Sequence, residues 1–104
     1  MALPKKISRV TTVDGVKYRW TVTRQEYDQT AMLTFLAHEE QDAKAGRTSH
    51  AKLRVTWAES HCDSVSPAIA IGLIRGGIKQ GWNPRGLVDH AIGPFAAVKL
   101  LSLI

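Results

Sequence analysis

Residues 65–82 read VSPAIAIGLIRGGIKQGW, and this stretch limits the possible fold more than any other. Ser66 can cap a helix, because its hydroxyl accepts from a backbone N–H that the first turn leaves unpaired. Pro67 suits the first helical position, where a missing N–H costs nothing. Gly81, after Lys79 and Gln80, predicts a left-handed stop with a cation near the negative end of the helix dipole. At about 100° per residue, Ala70, Ile71, Ile74, Gly77, Ile78 and Gly81 share one stripe. Such a stripe needs a cover, and the rest of the chain supplies strands.

Upstream, residues 7–13 and 16–23 flank Asp14-Gly15, a strong signal for a two-residue hairpin turn in which both residues take positive φ. Val16, Tyr18, Trp20 and Val22 alternate with Lys17, Arg19, Thr21 and Thr23, so one set faces a core and the other faces water. A two-residue loop sets Thr11 opposite Tyr18 and Arg9 opposite Trp20; a bulged three-residue loop would set Val10 there instead. The first register is the expected one. Residues 24–29 are polar and read as a loop. AMLTFLA (residues 31–37) reads as a strand with Leu33 and Phe35 inward, although its composition also suits a helix. Residues 38–50 read as a loop by their charges and Gly46. Ala51, Leu53, Val55 and Trp57 then alternate with Lys52, Arg54 and Thr56, as a half-buried strand does.

After the helix, residues 82–86 (WNPRG) predict a turn that returns Trp82 to the helix end, and Gly93-Pro94 predicts a second break. The apolar tail FAAVKLLSLI is read as a strand in preference to a short helix. The expected fold is therefore α+β, with strand order β-β-β-β-α plus the tail. It is an antiparallel sheet of three to five strands with one principal helix packed on one face. The expected packing sets Ile71, Ile74 and Ile78 against Trp20, Phe35, Leu53, Val55 and Trp57.

At 104 residues the chain fits a single domain, residues 1–104, able to bury about two-thirds of its unfolded surface. Residues 1–6, with Pro4 and the Lys5-Lys6 pair, read as a solvated arm. Cys62 is the only cysteine, so no internal disulfide forms. No signal-like apolar run follows the N-terminal lysines, and no apolar stretch approaches the roughly 20 residues of a membrane span. A cytoplasmic location is expected.

Two segments resemble a group of small bacterial proteins of unassigned activity. VDGVKYRW (residues 13–20) is similar to their opening hairpin with its Y-x-W strand. VSPAIAIGLIRGGIKQGWNPRGL (residues 65–87) is similar to their helix that begins V-T-P and ends G-W-x-P. Gly93-Pro94-Phe95 looks like their closing segment. The resemblance implies the same architecture and carries no functional residue.

The residues that could support chemistry are scattered. His61-Cys62-Asp63 places a thiol beside a base, but neighbours in an extended loop point apart, so no catalytic residue is assigned. His38, His50, His61 and His90 lack the paired spacing of zinc sites, and no metal or cofactor is expected. Glu39, Glu40 and Asp42 read as solvated charges. The glycines of GLIRGGIKQG lie inside a helix pattern, not between a strand and a helix, so they do not form a phosphate cradle.

Binding surfaces are the better candidates. The net charge of +5 favours acidic partners. Lys17, Arg19, Lys52 and Arg54 fall on the sheet face away from the helix, where Lys5, Lys6, Arg24, Lys44 and Arg47 could extend a nucleic-acid-binding surface. A second candidate is an interface of Ile69, Gly72, Leu73, Gly76, Phe95 and Leu101. The small residues four apart open a groove on the second helix face, which either the chain's own tail or a second subunit can fill. The apolar surplus favours a homodimer or another protein partner. The leading reading is a small non-enzymatic protein that acts by protein–protein binding or self-association. The alternative is a nucleic-acid-binding module.

Overall fold

The computed structural model describes residues 9–28, 30–40 and 51–104. The readings made for residues 1–8, and for Asp42, Lys44, Arg47 and His50, lie outside the described residues. The elements in order are β1 (Arg9–Val13), β2 (Val16–Tyr27), β3 (Thr30–Glu39), β4 (Leu53–Ala58), α1 (Pro67–Lys79), β5 (His90–Ile92) and α2 (Pro94–Leu101). The fold is α+β: one five-stranded sheet in the order β1-β2-β3-β4-β5, with two helices.

The first hairpin forms in the expected register, with Arg9 opposite Trp20 and Thr11 opposite Tyr18. Asp14 and Gly15 have φ of 52° and 82°. These positive values match the right-handed twist of the flanking strands. The second strand runs further than expected. Residues 24–27, read as loop, continue β2, and Tyr27 pairs with Thr30 across a turn that contains Asp28 at φ 53°. Their polarity misleads because Arg24, Gln25 and Glu26 are exposed whichever face of the strand they occupy, so no apolar set marks the alternation.

Helix α1 begins and ends as its residues dictate. The Ser66 hydroxyl accepts from the Ile69 N–H at 3.3 Å, and Pro67 occupies the first turn. At the other end Gly81 takes φ 113°, with its N–H donating to the Ile78 carbonyl and that of Trp82 to the Gly77 carbonyl. This pair of bonds satisfies carbonyls that the helix end would leave open. It also turns Trp82 inward, where it is buried with its ring centroid 5.9 Å from that of Tyr18.

Two features depart from expectation. The sheet is not wholly antiparallel: β5 lies parallel to β4, with Leu53 opposite His90 and Val55 opposite Ile92. A parallel neighbour needs a long crossover, and α1 supplies it. The apolar tail is also a helix, α2, started by Gly93 and Pro94, not a strand.

Helix α2 shifts the buried face of α1. Ala70, Leu73, Ile74 and Gly77 are buried, whereas Ile71 is half-buried and Ile78 is 39% exposed. The buried arc is thus rotated by about 50° from the expected stripe, toward the side on which α2 lies. The core is otherwise the expected one, with Trp20, Phe35, Leu53, Val55 and Trp57 buried beneath Ile74.

Candidate functional site

Three surfaces remain once the core is assigned. The first is an open cleft of about 830 Å³ between the projecting β2–β3 hairpin and the residues that follow β4. Arg24, Glu26 and Asp28 line one wall; Glu59, His61, Cys62 and Asp63 line the other. Arg24 spans the cleft, donating to Glu26 at 2.8 Å and also to Glu59. Those bonds, the one to Glu59 foremost, raise the guanidinium pKa further above its usual value.

The cysteine triplet lies in this cleft without forming a catalytic set. Among the described residues neither His61 nor Asp63 hydrogen-bonds the Cys62 thiol, which donates to the Ser64 carbonyl at 3.0 Å. The Cys62 carbonyl accepts from the Trp57 indole at 2.8 Å, pinning the loop to the core. No group of three or more His, Cys, Asp or Glu side chains could hold a metal ion among the described residues. The acidic residues read as one solvated cluster separate: Glu39 pairs with Arg85 at 3.1 Å, and Glu40 pairs with Arg19.

The second surface is the sheet face opposite the helices. Lys17 and Arg19 on β2 lie two strands from Arg54 on β4, with Lys52 just before it, so the four predicted cations share this face. Their charges are not equally available. Arg19 donates to both carboxylate oxygens of Glu40, at 2.8 and 3.1 Å. That hydrogen bond lowers the Glu40 pKa below its ordinary value. A depressed folded pKa means the pair stabilises the fold above the unfolded pKa of Glu40. The contribution is lost as pH falls through the lowered folded value. Lys17, Lys52 and Arg54 are exposed, and their side chains form no salt bridge among the described residues, although the Asp89 carboxylate accepts from the Lys52 backbone N–H at 2.7 Å.

The third surface takes in part of the predicted interface and redistributes the rest. The groove over Gly72 and Gly76 is filled by the chain's own tail. A Cβ on Gly72 would lie 2.6 Å from the Ile104 side chain, and one on Gly76 would collide with Leu100. Leu73 is fully buried in the core, so it does not belong to a surface, and Ile69 and Leu101 are half-buried. Phe95 is different: it is 94% exposed. Ala97 and Leu100 lie roughly 200° and 140° around α2 from it, so the docked face of the helix is turned away from the phenyl ring. Leu87 and Val88, just before β5, are 87% and 81% exposed. These three side chains flank β5, the last strand of the sheet, which has no neighbour on its outer side among the described residues.

No sequence signal short of the helical phase of the tail would have separated Phe95 from the residues that bury themselves around it. No protein-family model matches the chain, and neither the curated proteins nor the solved structures contain a match. No helix among the described residues is long and apolar enough to cross a membrane.

Proposed function

We propose that this chain is a small non-enzymatic cytoplasmic protein that acts by binding another protein chain, and that the β5–α2 edge is its contact surface. The observation that carries this reading is the exposure of Phe95 together with Leu87 and Val88 beside an unpaired strand edge. Large apolar side chains left in water at one edge, next to open backbone groups, are a common mark of protein contact. Aromatic residues of this kind tend to anchor interfaces by filling a pocket on the partner.

A photo-crosslinking amino acid at position 95 tests this in cells. A discrete protein adduct is expected there, lost when Leu87→Asp is added, with none from the same probe at exposed Lys79, the last residue of α1. Equal, diffuse labelling from both positions would remove the reading. Leu87→Asp should leave the denaturation midpoint within about 0.5 kcal/mol of stability, as exposed sites usually do.

Lys17, Lys52 and Arg54 favour a second reading, nucleic-acid binding by the open sheet face. Lys17→Ala with Arg54→Ala would then weaken duplex DNA binding by more than about tenfold, because phosphate contacts dominate such affinity. Absence of any gel shift at low salt would exclude it.

A further inference from the structure

Arg19, Arg24, Arg75 and Arg85 are each tied to a carboxylate of their own chain. Among the cations that form no salt bridge with a described residue, Lys52, Arg54 and Lys99 line up along the β5–α2 edge. All three are exposed. Their place beside the apolar side chains follows from the backbone. The Ala51 N–H donates to the Gly86 carbonyl at 3.0 Å, and the His90 N–H donates to the Lys52 carbonyl at 2.9 Å. The Lys52 N–H donates to the Asp89 carboxylate at 2.7 Å. Leu87 and Val88 are thus bracketed by residues bonded to Ala51 and Lys52, which sets them next to Lys52. Further along, Arg54 is the register partner of Ala91 on β5. At the far end Lys99 follows Phe95 by four residues on α2, so the two share a helix face. Residues 51–58 and 86–101 contain a single acidic residue, Asp89, and its carboxylate accepts from the backbone.

We propose that the partner of this edge presents an acidic protein segment, with carboxylates on either side of an apolar anchor. The inference rests on the contact surface proposed above and adds the chemistry of what fills it. The argument is charge complementarity. Exposed Leu87, Val88 and Phe95 are bordered at both ends by cations that have no carboxylate of their own to meet. Opposite charge on a partner speeds encounter and fixes register, while like charge brought to the same place is rejected. The apolar anchor supplies most of the affinity, because it is the part that leaves water completely. A basic or neutral partner leaves Lys52, Arg54 and Lys99 uncompensated. Nucleic acid satisfies the cations, but a phosphate backbone offers nothing to Leu87 and Val88. An acidic segment with an apolar side chain satisfies both.

The photo-crosslinking residue at position 95 of the full chain is the probe. Arg54→Glu with Lys99→Glu should cut the adduct about tenfold or more, since local charge of one sign governs encounter on that scale. R54K/K99R should keep the adduct, and Lys79→Glu, away from the strip, should leave it unchanged. Both reversed positions are exposed, so the unfolding midpoint should stay near that of the unaltered chain. Irradiating a lysate at rising salt needs no substitution, and the adduct should fade there as charges are screened. The partner peptide joined at position 95, sequenced by mass spectrometry, should carry more Asp and Glu than Lys and Arg. An adduct that survives R54E/K99E and high salt overturns the acidic partner but leaves the contact surface standing. So does a joined peptide that is basic on balance, or an adduct that nuclease removes. No adduct at all removes the contact surface and the acidic partner together.

Discussion

Leu73→Ala is expected to lower the free energy of unfolding by about 2–5 kcal/mol, while Ile78→Ala is expected to cost less than about 1 kcal/mol. Leu73 is fully buried, whereas Ile78 is 39% exposed. Truncating a buried leucine loses its transfer free energy and leaves a cavity, and the cost rises with the part of that cavity the surroundings cannot fill. Here little collapse is available. Leu73 lies in the arc that includes Ala70, Ile74 and Gly77, and Gly77 is already so close to β4 that a Cβ there would lie 2.7 Å from the Leu53 side chain. Chemical denaturation of the two variants checks the contrast. Equal losses, or a larger loss at Ile78, would mean that α1 faces the sheet through the stripe that periodicity alone selects.

That contrast also marks where sequence reasoning stops. Local features were legible because each depends on one or two side chains: Asp14-Gly15 sets a hairpin register, Ser66-Pro67 starts a helix, and Gly81 stops it and returns Trp82 inward. The strands that bury one face showed their alternation for the same reason. What failed depended on non-local packing. The stripe on α1 rests on apolar periodicity alone, which puts Leu73 on the second face; Leu100 of α2 over Gly76 and Ile104 over Gly72 cover α1 from the side, and Leu73 lies in the core. Residues 24–27 looked like a loop because Arg24, Gln25 and Glu26 are exposed polar residues, so no apolar side chain marks the alternation. β5 is three residues long and owes its place to the α1 crossover, which no short-range pattern announces. The candidate contact surface suffers from this most. Phe95 belongs to an apolar tail whose residues look alike until the helical phase of α2 separates it from the docked Ala97 and Leu100.

Trp57 links the core to the cleft, and its removal should have the largest effect of any single substitution. It is fully buried on β4, paired across the sheet with Leu33, and its indole N–H donates to the Cys62 carbonyl at 2.8 Å. Trp57→Ala is expected to cost about 3–5 kcal/mol, as large aromatic truncations do in packed cores. Much of the chain's stability is at stake, because small domains are held by only about 5–15 kcal/mol in total. Trp57→Phe divides that cost. It keeps an aromatic ring in the core but removes the donor, which should cost on the order of 1 kcal/mol for the hydrogen bond beyond the change in packing. The two substitutions also differ in where they act. Loss of the indole N–H unpins the loop that carries Cys62 and leads into the Ser66 cap, so the thiol should become more accessible while the sheet stays folded. Trp57→Phe should therefore speed modification of Cys62 by a thiol reagent under native conditions, at a denaturation midpoint only modestly lowered. Unchanged thiol reactivity in that variant would show that the loop is held by its own bonds, such as the one from Cys62 to Ser64, and not by the core.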